Sequence, residues 1–200
     1  MKEKFLNSSI KIITSNKKCT QDEIDIISYG LEAIYLTITK AVVILGLAFC
    51  LGIIKEVILL LITYNIIRSQ AFGLHATKSS YCLIASLFLF IGGALVCKYA
   101  IIPRIILIIG SLICNACLLI YAPADTYKRP LINAKKRKRF KILSSLLGFA
   151  YTFIIIFKNN YFLNNYLFIG MILAVLMILP ITYKTFNLPY NNYKNYDYGV

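Results

Sequence analysis

The only histidine of the sequence, His75, lies seven residues before a cysteine, Cys82. An imidazole titrates near physiological pH, so His75 could take the thiol proton and later return it to a leaving amine. The thiolate formed in this way is a nucleophile that makes covalent intermediates. The pair predicts nucleophilic catalysis. The alternatives are a histidine that packs at a membrane interface and a cysteine that serves as a small apolar side chain.

Contact between these two side chains requires an interruption of the helix between them. Seven helical residues advance about 10.5 Å along the axis, whereas proton transfer needs roughly 2.6 to 3.2 Å between heavy atoms. The residues that favour a bend or a new helix start are Gly73, Thr77, Ser79 and Ser80. A helix that begins near Ser79 would direct its partial positive charge toward Cys82 and favour the thiolate. The candidates for orienting the imidazole are Gln70, Thr77 and Asp125.

The elements that must position this pair are transmembrane helices. Hydrophobic residues make up 59% of the 200-residue chain and charged residues 15%, whereas about a quarter of a soluble domain is charged. Long apolar runs predict six spans, at residues 36–54, 56–74, 83–102, 105–122, 142–158 and 164–183. We therefore predict an all-α, polytopic integral membrane protein with an N-terminal amphipathic helical region. It forms a single domain over residues 1–200, divided into that region (1–35), a transmembrane core (36–183) and a cytoplasmic tail (184–200).

The N-terminal region carries two helix signals. Leu6, Ile10 and Ile13 recur at helical spacing among lysines, which predicts a short helix on an anionic membrane surface or, alternatively, a solvated tail. Thr20 and Glu23 have the spacing of a capping box, so a second helix should begin there and continue into the first span.

The distribution of Lys and Arg predicts the orientation in the membrane. With both termini inside, seventeen of the 22 basic residues lie on the cytoplasmic side, where basic loops are retained. This topology predicts a multi-pass protein of the cell membrane with His75 and Cys82 at its cytoplasmic face. The cytoplasm would keep Cys82 reduced, and the six cysteines do not predict a secreted disulfide framework.

The connection at residues 123–141 contains two prolines and a concentration of positive charge, which predicts a loop. Its cations can touch lipid phosphates of the bilayer, and they can also attract an acidic peptide. The candidate substrate-binding residues are Lys128, Arg129, Lys135, Lys136, Arg137, Lys138 and Arg139. A nucleic-acid partner is not predicted, because the run is short and no basic face of a soluble domain accompanies it.

Neither a metal nor a cofactor is predicted. Cys114 and Cys117 lie inside an apolar span without two further ligands nearby, which favours two cysteines on one helical face. The sequence has no phosphate-binding glycine loop and no Gly-x-Ser-x-Gly elbow. The Asn- and Tyr-rich tail from Lys184 has no periodicity that predicts a function.

Together these segments resemble the family of accessory gene regulator protein B, AgrB, the membrane cysteine endopeptidases of Gram-positive quorum sensing and virulence. His75 and Cys82 match the catalytic pair of the family in spacing, and Arg68 and Gly73 match its approach to the site. Residues 121–126 (Tyr-Ala-Pro-Ala-Asp-Thr) and 128–133 (Lys-Arg-Pro-Leu-Ile-Asn) resemble its central loop, and residues 29–32 (Tyr-Gly-Leu-Glu) its segment before the first span. Phe72 departs from the paired glycines that often precede the histidine.

The resemblance implies an AgrD-like precursor peptide as substrate and a homodimeric enzyme. Cys82 would attack the peptide bond after the future ring, release an acidic C-terminal tail and form a thioester. A cysteine or serine of the peptide would then displace Cys82 and close a thiolactone or lactone. The alternative is a non-enzymatic membrane peptide exporter or scaffold, in which His75 only packs.

Overall fold

The computed structural model describes residues 2–15, 20–74, 79–126 and 131–196, and the regular structure in them is helical. The helices are α1 (Lys2–Ser15), α2 (Gln21–Cys50), α3 (Ile54–Ala71), α4 (Ser79–Tyr99), α5 (Arg104–Tyr121), α6 (Ala134–Phe157), α7 (Tyr161–Leu176) and α8 (Pro180–Thr185), followed by a 3₁₀ helix (Asn192–Tyr196).

The chain divides into two compact units, residues 1–47 and 48–200. In the first unit, the Thr20 N–H donates to Glu23 Oε2 at 2.9 Å and the Glu23 N–H donates to Thr20 Oγ1 at 3.4 Å. These bonds form the predicted capping box, and α2 continues from it without interruption to Cys50. Phe5 of α1 packs against Tyr35 of α2 with ring centroids 5.3 Å apart.

The second unit is a helical bundle with α7 at its centre. Helix α7 contacts α3, α4, α5 and α6, and α3 contacts α4 and α6 as well. Tyr166, Met171 and Ala174 of α7 are fully buried. Gly170 lets α3 approach closely, because a Cβ at this position would meet the Thr63 side chain. The core is therefore built around one of the shorter apolar helices.

Polar side chains join the helices inside this bundle. Thr63 Oγ1 donates to the Tyr166 carbonyl at 3.1 Å, and the Tyr151 hydroxyl donates to the Thr63 carbonyl at 3.0 Å. Asn115 Nδ2 of α5 donates to Thr152 Oγ1 of α6 at 2.6 Å. Such bonds hold transmembrane helices together, since lipid tails offer these groups no partner.

Within the described residues, three helical segments are long and apolar enough to cross a bilayer, namely Gly30–Cys50, Arg104–Tyr121 and Ala134–Phe157. Leu83–Tyr99 and Tyr161–Leu176 are shorter apolar helices. Large apolar side chains also cover the outer surface of the bundle, among them Ile105, Ile109, Phe153 and Phe157. An exposed apolar surface of this extent suits lipid rather than water. The predicted class, a helical membrane protein, is confirmed.

Helix α6 begins well before the span that the sequence predicts. The span predicted to start at residue 142 is part of α6, which begins at Ala134. Asn133 caps it, since Asn133 Oδ1 accepts the Lys136 N–H at 3.1 Å, and Lys and Arg are good helix formers. The basic run is therefore helical, and the prediction of a loop up to residue 141 is wrong from Ala134 onward.

The largest difference between a predicted and an observed helix end is in α7. Helix α7 stops at Leu176 rather than continuing to residue 183. Pro180 has no N–H to offer the Leu176 carbonyl, which instead accepts the Thr182 hydroxyl at 2.6 Å. The short helix α8 then begins with Pro180 in its first turn.

Candidate active site

The chain leaves the helical conformation just before His75. Helix α3 ends at Ala71, and the Phe72 N–H closes its last turn on the Arg68 carbonyl at 3.0 Å. Phe72 and Gly73 then adopt φ angles of 57° and 106°, which lie in the left-handed region where a helix cannot continue. The segment that leads into His75 is consequently not helical.

The helix resumes at Ser79, so the backbone of Cys82 lies in the first turn of α4. This start lies four residues before the predicted span at 83–102, at one of the residues that favour a new helix start, and α3 and α4 do not form one continuous rod. Several predicted site residues lie outside the described residues, namely His75, Thr77, Lys128 and Arg129, as do the side chains of Ser80 and Cys82. The catalytic pairing itself stays a prediction.

Backbone hydrogen bonds tie the segment before His75 to two distant parts of the chain. The Gly73 N–H donates to the Ala124 carbonyl at 2.7 Å, and the Ala124 N–H donates to the Ala71 carbonyl at 3.0 Å. The Leu74 N–H donates to the Met177 carbonyl, in the break after α7, at 2.9 Å. The predicted central loop therefore lies directly against the approach to His75.

The Arg68 side chain braces the same turn. Its Nη2 donates to the carbonyls of Gly73 and Leu74 at 3.0 and 2.6 Å. Gly73 leaves no room for a larger residue, because a Cβ there would collide with Arg68 Nη1 and with the Met177 carbonyl. Arg68 Nη1 is buried and has no hydrogen-bond acceptor among the residues that the structure describes.

Asp125 is a buried carboxylate that backbone N–H groups satisfy. Its Oδ1 accepts from Asn192 at 2.9 Å, and its Oδ2 accepts from Tyr193 at 2.7 Å and from Leu131 at 3.3 Å. The Tyr183 hydroxyl donates to the Asp125 carbonyl at 2.9 Å. Asp125 thus joins the central connection to the C-terminal tail, and its role in orienting His75 stays a prediction.

The five consecutive basic residues of α6 fall into two groups. Arg137 is half-buried: its Nη1 donates to the carbonyls of Leu131 and Ile132 at 2.8 and 2.7 Å, and its guanidinium lies 4.0 Å from the Tyr193 ring centroid. The other four side chains are exposed, namely Lys135, Lys136, Lys138 and Arg139. Arg137 therefore supports the connection, and the four exposed cations are available to an anionic ligand.

Gln70, a candidate for orienting the imidazole, has a local partner. Gln70 Nε2 donates to Ser69 Oγ at 3.2 Å. Burial raises the pKa of the Tyr190 phenol in the tail above its ordinary value, so this ring stays neutral. Among the side chains that the structure describes, no three His, Cys, Asp or Glu residues lie close enough together to hold a metal ion.

Sequence reasoning missed the contributions of Met177 and of the tail to this region. Pro180, inside an apparently continuous apolar run, is the signal that could have located the break after α7. The bonds that Asn192 and Tyr193 make to Asp125 leave no periodic pattern in the sequence, because their backbone N–H groups form them.

Comparison with known proteins finds relatives over most of the chain. The profile of the family "Accessory gene regulator B" (AgrB) matches residues 6–179. An AgrB-like protein of Clostridium acetobutylicum is 32% identical over 91% of this chain and 88% of its own length. One from Listeria monocytogenes is 29% identical over 86% and 84%. The accessory gene regulator protein B of Staphylococcus aureus is 32% identical over 76% and 79%. No solved structure matches the chain.

The family match covers the turn at Gly73, the first turn of α4, the connection at Asp125 and the basic part of α6. The chain therefore belongs to the AgrB family of membrane proteins, which takes part in accessory gene regulator quorum sensing.

Proposed function

We propose that this protein is a cysteine endopeptidase of the cell membrane that cleaves and cyclises a small AgrD-like precursor peptide. The observation that carries the proposal is the helix interruption before His75, whose segment from Phe72 to Leu74 is bonded to Ala124 and Met177. An interruption of this kind is what contact between His75 and Cys82 requires.

In the proposed reaction, His75 accepts the proton of the Cys82 thiol and the thiolate attacks the carbonyl carbon of the scissile peptide bond. The protonated imidazole then gives this proton to the leaving amine. The C-terminal tail of the precursor departs, and a thioester joins the rest of the precursor to Cys82. A position in the first turn of α4 favours the thiolate form, because the N-terminus of a helix carries partial positive charge.

The second step closes the ring. A cysteine thiol of the bound peptide gives its proton to His75 and attacks the thioester carbonyl. A thiolactone forms, and the Cys82 sulfur leaves as a thiolate that takes the same proton back from His75. A serine in that position would give a lactone. One sulfur ester replaces another in the first case, so the step depends on holding the internal nucleophile close and on keeping water away.

The exposed cations of α6 are the proposed site for the acidic tail of the precursor. They are Lys135, Lys136, Lys138 and Arg139, with Lys128 and Arg129 as further candidates. A cluster of one charge sign attracts an oppositely charged peptide and raises its local concentration. The proposed topology places this cluster, His75, Cys82 and both termini in the cytoplasm, with residues 1–200 as a single membrane domain that forms a homodimer.

The decisive experiment co-expresses the precursor with wild-type, Cys82→Ala and His75→Ala proteins and follows tail release by mass spectrometry. Both variants should release no tail above background at normal abundance. Cys50→Ala is the matched control, since Cys50 is exposed at the end of α2 and plays no part in the proposal. Undiminished cleavage by both active-site variants would instead favour the rival function, a peptide exporter or scaffold served by another protease.

A further inference from the structure

The C-terminal tail, defined here as residues 187–196, packs against the region that leads into His75. Asn192 is 1% exposed and Asp125 is 3% exposed. The two shorter hydrogen bonds to the Asp125 carboxylate, 2.9 Å to Oδ1 and 2.7 Å to Oδ2, come from the tail residues Asn192 and Tyr193. A buried carboxylate that loses its donors is strongly destabilising. Asp125 and the tail are therefore placed to depend on each other.

The tail is held by aromatic contacts as well. Tyr190 packs edge-on against Tyr183, with ring centroids 5.0 Å apart, and the Tyr193 ring lies under the Arg137 guanidinium. Within the tail, Asn192 Nδ2 donates to the Pro189 carbonyl at 2.9 Å. These contacts give the tail a defined position on the described part of the connection between α5 and α6.

Two contacts connect the tail to Gly73, which lies two residues before the histidine. Asp125 follows Ala124 directly in the sequence. The Ala124 N–H donates to the Ala71 carbonyl, and the Ala124 carbonyl accepts the Gly73 N–H. Gly73 is two residues from His75. A displacement of Asp125 therefore moves the carbonyl that accepts the Gly73 N–H, and a shift of about 1 Å at a catalytic group can cost roughly a hundredfold in rate.

We propose that the C-terminal tail is part of the framework of the active site: it fixes Asp125, Asp125 fixes the segment that pairs with Gly73, and Asp125 is thereby a positioning residue for His75. This inference rests on the proposed function, because it assumes that His75 activates Cys82. It differs from a general anchoring of the fold, since it predicts a loss of Cys82 activation in protein that remains folded.

The test uses the full chain in lipid vesicles, in a background where Cys82 is the sole cysteine and the other five are alanine. Three changes are compared: Asp125→Asn, a chain ending at Leu188, and a control chain ending at Tyr196 that keeps Asn192 and Tyr193. Each protein is measured for the pH profile of Cys82 alkylation by iodoacetamide, for kcat and KM of precursor cleavage, and for thermal unfolding.

Asp125→Asn and the chain ending at Leu188 should each raise the pH at which Cys82 alkylation is half-maximal. It should move toward the ordinary pKa of a cysteine thiol, about 8.5. Each should also lower kcat by about tenfold or more, with KM within about twofold of the starting value. The control chain should keep both properties. Because the two changes act through one contact, their combination should be no worse than the stronger of the two alone.

The inference is overturned if Asp125→Asn and the chain ending at Leu188 keep the alkylation profile and kcat. It is also overturned if their losses match the fraction of unfolded protein, or if the two changes multiply in effect. The unmodified background protein, with Cys82 as its sole cysteine, tests the proposed function itself. That function is overturned if this protein does not cleave the precursor and its alkylation inflection lies at the ordinary thiol value of about 8.5. A normal starting protein with unaffected variants would remove only the role of the tail.

Discussion

The Leu74 N–H donates to the Met177 carbonyl at 2.9 Å, and this bond connects the approach to His75 with the break between α7 and α8. In a helix that continued through this point, the Met177 carbonyl would accept the N–H of residue 181. Because α7 stops at Leu176, ahead of Pro180, that carbonyl is open to Leu74. The helix break thus supplies an acceptor for the turn that precedes the histidine.

Gly73→Ala should abolish most of the precursor cleavage. The residue has a φ of 106°, and a Cβ would collide with the Arg68 guanidinium and the Met177 carbonyl. The left-handed conformation alone costs a residue other than glycine about 1 to 2 kcal/mol. Tail release per amount of folded protein, measured by mass spectrometry, should fall about tenfold or more. Gly92→Ala is the control, since no heavy atom lies within 4 Å of a Cβ built there; equal activity of the two variants would contradict this account of Gly73.

Arg68→Lys should impair cleavage although the charge is kept. One nitrogen of Arg68 bonds the carbonyls of Gly73 and Leu74, and a lysine lacks the planar guanidinium that sets this geometry. Loss of a charged donor from buried carbonyls costs about 1.5 to 3 kcal/mol, so the temperature of unfolding in detergent should also drop. Arg104→Lys is the matched control, because Arg104 Nη2 bonds one carbonyl, that of Ile156, near the opposite ends of the helices. If the Arg68→Lys variant were as active and as stable as the Arg104→Lys variant, the bracing role of Arg68 would be excluded.

Replacing Lys135, Lys138 and Arg139 by glutamine should weaken binding of a precursor with an acidic tail. The change should raise KM more than it lowers kcat, and the effect should be largest at low ionic strength, where screening is weakest. Arg137→Gln should act differently, because Arg137 bonds the carbonyls of Leu131 and Ile132; there we expect a fall in kcat that salt does not alter. Lys55→Gln with Lys158→Gln, two exposed cations outside this cluster, is the control. A triple variant whose KM is unchanged at every salt concentration would exclude recruitment by α6.

Thr152→Val should lower stability and leave the chemistry intact. It removes the hydroxyl that accepts Asn115 Nδ2 at 2.6 Å between α5 and α6, and hydrogen bonds of this type in a membrane are worth about 0.6 to 2 kcal/mol. Thermal unfolding in detergent should therefore begin at a lower temperature, with tail release per folded molecule unchanged. Thr39→Val provides the comparison, since the exposed Thr39 hydroxyl donates to the Tyr35 carbonyl one turn away in the same helix. A larger stability loss in the Thr39 variant would reverse the interpretation.

Much of the helical architecture was predictable because a bilayer requires it. Backbone polar groups in lipid must be bonded internally, so long apolar runs become helices, and the capping box at Thr20 located the start of α2 correctly. The start of α6 was predicted too late because positive charge was taken to indicate a loop. Lys and Arg are good helix formers, and Asn133 caps the helix.

The site was only partly predictable. Gly73 was predicted from its conformational freedom and Arg68 from the resemblance alone, and the contacts of the two residues explain why these residue types occur. The roles of Met177, Asn192 and Tyr193 were not predictable. Met177 acts through its carbonyl, which every residue has, and Asn192 and Tyr193 bond Asp125 through backbone N–H groups, which every residue but proline has. Such partners are chosen by tertiary position and not by side-chain type.

The backbone bonds of Gly73 and Leu74 can form only late in the synthesis of the chain. Their acceptors lie at Ala124 and Met177, so the first acceptor is absent from the nascent chain until α5 has been translated and the second until α7 has been inserted. A ribosome-bound fragment that ends after α4 contains His75 and Cys82 but has neither acceptor. The turn before His75 can therefore form with all of its backbone bonds only after the residues of α7 and the break that follows it have been synthesised.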